Sequence, residues 1–207
     1  MKIKVCGMRQ AENLRELAAL QPDYIGFIFY ENSKRCAEGH ITPELLAELP
    51  ASIKKVGVFV NATTDTIKAT VARFKLDAVQ LHGSESARQC AEVQALEVEV
   101  IKVFSVDDRF VFENTLLYES CADYFLFDTK GKEHGGNGIP FDWELLQGYL
   151  SPKPYFLSGG ISLENVPHLD KVRPKPFAID VNSGFEQEPG LKNIETLNEL
   201  FGLIRNK

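Results

Sequence analysis

The sequence predicts an α/β fold, a single eight-stranded (β/α) TIM barrel over residues 1–207, and three observations predict it. Short β-branched or aliphatic runs recur at a near-constant interval. Each run is apolar on successive residues, the pattern of strands buried on both faces of a parallel sheet. Segments with helical periodicity separate them, and eight such units average about 26 residues each, the compact end of the barrel range. The competing architecture is an open doubly wound sheet, which advertises G-x-G-x-x-G after its first strand. Here that position reads Cys6-Gly7-Met8-Arg9.

The first strand is read at Ile3–Val5. A helix over Ala11–Leu20 follows, with Leu14, Leu17 and Ala18 on one face. The second and third strands are Tyr24–Ile28 and Lys55–Phe59, and a helix over Thr64–Phe74 places Ile67, Val71 and Phe74 together. Ala78–Leu81 is the fourth strand, followed by helical periodicity over Ser84–Leu96. Val100–Val103 and Tyr124–Phe127 are the fifth and sixth. Asp142 reads as the cap of a helix from Trp143. Tyr155–Leu157 and Phe177–Val181 complete the strands, and Leu191–Ile204 reads as the closing helix. No linker or low-complexity segment interrupts the series.

Composition narrows the function classes. The chain is 44% hydrophobic and 25% charged, as ordinary globular proteins are. No apolar run approaches a membrane span, and Lys2 and Lys4 lead straight into a strand, so a cytoplasmic protein with no membrane partner is expected. A net charge of −6, with no basic stripe, argues against nucleic-acid binding. Cys6, Cys36, Cys90 and Cys121 lack C-x-x-C spacing and read as free thiols, with no metal site.

Two glycine-bearing turns carry the first functional signal. Leu157-Ser-Gly-Gly-Ile161 follows the apolar run Pro154–Leu157, and Asp180-Val-Asn-Ser-Gly184 follows Phe177–Ile179. Glycine lets backbone N–H groups approach an anion with no Cβ in the way. In a barrel of this kind the loops after strands seven and eight commonly hold phosphate, and these turns fall there. Polar groups end the other strands: Cys6 the first, Ser33-Lys-Arg35 after the second, Gln80-Leu-His-Gly83 the fourth, Lys102-Val-Phe104 the fifth. Asp128 ends the sixth, before the glycine-rich loop Gly135-Gly-Asn-Gly138.

This set resembles the phosphoribosylanthranilate isomerases along nearly the whole chain. The resemblance rests on eight motifs in order: Lys4-Val-Cys-Gly-Met8, Gly26-Phe-Ile-Phe29, Ser33-Lys-Arg35, Val56-Gly-Val-Phe-Val-Asn61, Gln80-Leu-His-Gly-Ser-Glu85, Gly135-Gly-Asn-Gly138 with Phe141-Asp-Trp143, Leu157-Ser-Gly-Gly160 with Glu164-Asn-Val166, and Asp180-Val-Asn-Ser-Gly184. It implies a cofactor-independent Amadori rearrangement of N-(5′-phosphoribosyl)anthranilate in tryptophan biosynthesis, by a monomer or homodimer.

The resemblance implies Cys6 as general base and Asp128 as general acid. Cys6 must be partly thiolate to act. Strand alternation points Lys4 the same way, which leaves open whether Lys4 assists it or is structural. Asp128 must carry a proton when it acts, which calls for an apolar or anionic setting. Arg35 is implied for the anthranilate carboxylate and Asp180 for the ribose hydroxyls. Gly159, Gly160, Asn182, Ser183 and Gly184 are implied for the phosphate. His82 is expected to orient the fourth-strand turn, and His40, His134 and His168 to lie at the surface. The Gly135–Gly138 loop is a candidate lid.

The pattern departs from the family at Arg9, Lys34, Asn137 and Asn182, of which Arg9 bears on the packing behind Cys6. Three other readings are weighed. The histidine-pathway isomerase is expected to use carboxylates from strands one and five, which here end in Cys6 and near Phe104. A metal-dependent epimerase needs a ligand cluster that His82 alone does not supply. A non-catalytic phosphate sensor needs neither Cys6 nor Asp128.

Overall fold

The structure is a computed structural model that describes residues 1–129 and 142–206. Eight parallel strands close in sequence order: β1 (Lys2–Cys6), β2 (Tyr24–Ile28), β3 (Lys54–Phe59), β4 (Ala78–Leu81), β5 (Glu99–Val106), β6 (Tyr124–Thr129), β7 (Tyr155–Leu157) and β8 (Ala178–Val181). β8 returns to β1 with Ile3 opposite Ile179 and Lys4 opposite Asp180. β5 runs past the predicted Phe104 to Val106.

Five α-helices lie among the described residues: α1 (Ala11–Ala19), α2 (Pro43–Ala47), α3 (Thr64–Phe74), α4 (Ala87–Gln94) and α5 (Ile194–Arg205). α2, which the periodicity did not predict, is started by Thr42, whose hydroxyl accepts the Leu45 N–H, with Pro43 in the first turn. Among the described residues between β5 and β8, the helical turns are 3₁₀, at Phe112–Tyr118, Trp143–Gly148 and Val166–Lys171. Asp142 caps the second of these, accepting the Glu144 N–H at 2.9 Å.

The closing segment departs from the predicted helix. Ser183–Phe185 forms a 3₁₀ turn, then β9 (Glu186–Glu188) pairs antiparallel with β10 (Leu191–Lys192). Only then does α5 begin, capped by Asn193, whose side chain accepts from Thr196. The second glycine turn therefore enters a hairpin before it reaches a helix.

The strands are buried on both faces, as their composition required. Outward residues such as Val5, Phe27, Val79 and Phe127 pack under the helices in one large cluster. Inward residues Tyr24, Val56, Ala78, Ile101, Leu126, Phe156 and Ala178 plug the barrel centre. Because side chains alternate along a strand, the next inward position is two residues on. On β4, β6 and β8 that position holds Gln80, Asp128 and Asp180, and just past β7 it holds Ser158, all buried. The polar layer thus sits directly on an apolar plug, at the C-terminal mouth.

Candidate active site

The mouth encloses a cavity of about 1070 Å³. Its lining includes all nine residues proposed from the sequence: Cys6, Arg35, Asp128, Gly159, Gly160, Asp180, Asn182, Ser183 and Gly184. Cys6 and Asp128 enter from β1 and β6, which are not neighbours in the barrel. Two acid–base groups therefore face one cavity from separate parts of its wall.

Cys6 is 4% exposed, and Gly26 on the paired strand makes room for it. A Cβ built on Gly26 would stand 2.6 Å from the Cys6 sulfur. Lys4 does more than follow the strand alternation. Its ammonium is fully buried and donates to Asp180 Oδ1 at 2.8 Å. Burial pulls the Lys4 ammonium down, but Asp180, then Cys6, outweighs it and holds the group above its usual value. Burial pushes the Cys6 thiol up, and Lys4 pulls the other way by stabilising the thiolate. Asp180 is likewise raised by burial, against the attraction of Lys4. One buried ammonium thus serves two buried acids, and Asp180 holds it beside the sulfur.

Asp128 is 7% exposed. Its Oδ1 accepts the Thr129 N–H at 2.9 Å, and its Oδ2 lies 3.6 Å from His82 Nε2. His82 therefore faces the Asp128 carboxyl, a placement the sequence reading did not give it. Its Nδ1 is 3.1 Å from Gln80 Nε2, and donation by Gln80 leaves the imidazole proton on Nε2, toward Asp128. Gln80 Oε1 is buried with no partner among the described residues. The turn that His82 was expected to orient is held instead by Glu85 and Lys102. Glu85 accepts from the Asn61 and Gly83 amides, and Lys102 Nζ bonds Glu85 Oε2 at 2.8 Å and the Gly83 carbonyl at 2.7 Å. Burial raises the Glu85 carboxyl, but Lys102 and the amides outweigh it and keep it below its usual value.

Gly159 and Gly160 adopt φ +84° and +66°, which side chains strongly disfavour. A Cβ on Gly159 would stand 2.6 Å from Thr129 N and 2.8 Å from Asp128 Oδ1, so this turn packs against the acid. A Cβ on Gly184 would meet the Ile161 carbonyl at 2.9 Å, which brings the two glycine turns together on one rim. Among the described residues, the backbone N–H groups of Gly159, Gly160, Ser183 and Gly184 meet no backbone acceptor.

Arg35 reaches the cavity half-buried, with its fork already gripped. Nε lies 2.9 Å from each Glu186 oxygen, and Nη2 lies 2.7 Å from Oε2. Burial works against the Glu186 charge, but Arg35 and Lys192 hold its carboxyl below the usual range. Arg9, the departure behind Cys6, lays its side chain against Gly190 of the β9–β10 hairpin. His40 and His168 are exposed, though His168 also borders the cavity. His134, Asn137 and the Gly135–Gly138 loop lie outside the described residues. Among those described, no helix is long and apolar enough to cross a membrane.

Residues 3–202 match the family model of N-(5′-phosphoribosyl)anthranilate isomerase. The isomerase of that name from Parabacteroides distasonis is 49% identical over 99% of this chain and 93% of its own. The crystal structure of the Thermotoga maritima enzyme is similar at a TM-score of 0.87, with 36% identity and 100% of each chain covered. A structure of such an isomerase in complex with reduced 1-(o-carboxyphenylamino)-1-deoxyribulose 5-phosphate gives 0.84, with 33% identity and 100% of each chain covered. The chain belongs to the N-(5′-phosphoribosyl)anthranilate isomerase family.

Proposed function

We propose that Cys6 and Asp128 carry out the isomerisation of N-(5′-phosphoribosyl)anthranilate to 1-(2-carboxyphenylamino)-1-deoxyribulose 5-phosphate, as base and acid. The observation that carries this reading is their placement: two buried acid–base groups, on non-adjacent strands, line one cavity with a glycine rim at one side and an arginine at another.

The phosphate sits against Gly159 and Gly160 and against Asn182, Ser183 and Gly184, where backbone N–H groups and the Asn182 amide donate. Arg35 receives the anthranilate carboxylate, since a guanidinium binds a carboxylate through paired N–H groups. Asp180 Oδ1 is committed to Lys4, and its other oxygen, 3.5 Å from the Ser158 hydroxyl, accepts from the ribose hydroxyls.

Asp128 gives its proton to the ribose ring oxygen. The C1–O bond breaks, and the aryl nitrogen lone pair forms the C=N bond of the open Schiff base. The Cys6 thiolate, beside the Lys4 ammonium, then removes the proton from C2, and the electron pair moves through C1 to nitrogen. The resulting enolamine tautomerises: the C2 hydroxyl loses its proton and C1 gains one, leaving the ketone. His82, 3.6 Å from Asp128, orients the acid. One barrel domain over residues 1–207 carries this chemistry without a cofactor, in the cytoplasm, as a monomer or homodimer.

The test is turnover of substrate made in situ from anthranilate and phosphoribosyl pyrophosphate by the transferase, followed by fluorescence with EDTA present. Chelator-insensitive turnover is expected. A well-folded protein without turnover overturns the reading.

A further inference from the structure

The chemistry above uses Arg35 and Asn182 but not the two buried charges behind them. Glu186 and Lys192 stand on β9 and β10, and neither lines the cavity. Their side chains are 5% and 0% exposed. Glu186 grips Arg35 along the Nε–Nη2 edge. Its Oε1 also accepts the Gly190 N–H at 3.1 Å and the Lys192 ammonium at 2.6 Å. Lys192 in turn donates to Asn182 Oδ1 at 2.6 Å. An ammonium only donates, so Asn182 must turn its amide oxygen inward to Lys192 and its NH₂ away from it.

These contacts form one continuous chain from Arg35 through Glu186 and Lys192 to Asn182. Gly7 closes it from the β1 side, for a Cβ there would stand 2.8 Å from Asn182 Oδ1 and 2.9 Å from Arg35 Cδ. Asn13 fixes the far end, bonding the Lys192 N–H at 2.8 Å and its carbonyl at 3.0 Å. A buried ion pair is a poor device for stability alone, because apolar residues of similar volume often do as well. Its use here is orientation. Glu186 holds one edge of the guanidinium, and Arg35 Nη1 has no protein acceptor among the described residues.

We propose that Glu186 is a positioning residue which, backed by Lys192, aims Arg35 at the substrate carboxylate and Asn182 at the phosphate, so that one buried anion sets both ends of the substrate. The proposal rests on the carboxylate role given to Arg35 above. It makes Glu186 a scaffold for Arg35 rather than a rival for it, because Gly190 and Lys192 keep the carboxylate in place whether or not a ligand arrives.

The experiment titrates two ligands by calorimetry: 1-(2-carboxyphenylamino)-1-deoxyribitol 5-phosphate and the phenylamino counterpart that lacks the carboxylate. Wild type is compared with Glu186→Gln, Arg35→Ala and the double variant, each of confirmed folding. Wild type is expected to prefer the carboxylated ligand, Arg35→Ala to lose that preference, and Glu186→Gln to reduce it by roughly tenfold or more. The double variant should lose no more than Arg35→Ala. A merely structural Glu186 would weaken both ligands alike and leave the preference intact, which overturns the proposal. So does a preference that rises in Glu186→Gln, since Glu186 would then be a competitor. A preference that survives Arg35→Ala removes the Arg35 reading itself, and the proposal with it. If Glu186→Gln does not fold, Glu186→Asp withdraws the charge by one methylene and carries the same expectation. Lys192→Met, which releases the Asn182 amide, is expected to weaken both ligands about tenfold. Wild-type affinity for both in that variant overturns the phosphate half.

Discussion

Gly26→Ala tests the proposed base, Cys6, without touching it chemically. Gly26 is not in the positive-φ set, so alanine there adds no left-handed strain. The added methyl would stand 2.6 Å from the Cys6 sulfur, 3.1 Å from Cys6 Cα and 3.2 Å from Cys6 Cβ, whereas ordinary contact begins at 3.4 Å. The sulfur or the strand must therefore yield by about 0.8 Å, the gap between 2.6 and 3.4 Å. Overpacking of this kind costs about 1–3 kcal/mol of stability. For a chain of this size each kcal/mol lowers the melting temperature by about 2–4 °C. The catalytic cost is larger in proportion, because a misplacement near 1 Å is worth roughly 10²-fold in rate. Gly39→Ala is the control: its φ of +78° gives strain but nothing lies within 4 Å of the new methyl. It should cost about 1 kcal/mol and leave kcat unchanged. The assay is kcat at saturating substrate, below the melting temperature of each variant by circular dichroism. A folded Gly26→Ala with wild-type kcat would refute the assignment of Cys6, since the base cannot tolerate such a shift.

Other consequences follow from the buried charges. Lys4→Met leaves Asp180 buried without its cation and should cost about 3–5 kcal/mol; it also removes a group that draws the Cys6 thiol down, so the limb of the kcat/KM profile on which the base loses its proton should move to higher pH. Glu85 is held below its usual value, so the stability it contributes is present above about pH 4.5, the ordinary carboxylate range, and is lost as pH falls through its lower folded value. Melting curves between pH 5 and 2 should therefore fall more steeply for wild type than for Glu85→Gln, and parallel curves would contradict this. Gly159→Ala combines left-handed strain with a methyl 2.8 Å from Asp128 Oδ1, so kcat should fall about 10²-fold, and an unchanged kcat would show that the turn does not support the acid. His82→Phe should lower kcat about tenfold with KM little changed, by the loss of one positioning contact.

Much of this architecture was legible because two periodicities carried it. Doubly buried strands have to be apolar on successive residues, which located all eight. Within them, a two-residue alternation turns an apolar inward side chain such as Leu126 or Ala178 into its polar successor, Asp128 or Asp180, at the mouth. What escaped was set by contacts between distant residues. Glu186 lies 151 positions from Arg35 in the chain, and a glutamate beside a glycine turn gives no local sign of its partner. Leu191 and Lys192 fit the helical period of the segment after them, but Asn193 is the cap, and the two residues before it pair with β9. His82 looked like a turn residue because one true holder of that turn, Lys102, reaches it from the next strand to bond Glu85 and the Gly83 carbonyl.

The account turns on two side chains sharing the work of acid and base, and the most direct test is kcat for Cys6→Ser and Asp128→Asn, each with its fold confirmed by circular dichroism. General acid–base groups are worth roughly 10²–10⁴-fold each, so both variants should fall by at least about two orders of magnitude while still binding the reduced product analogue. Either variant turning over within about tenfold of wild type would contradict the assignment, and turnover surviving in both would place the acid and base elsewhere in the cavity.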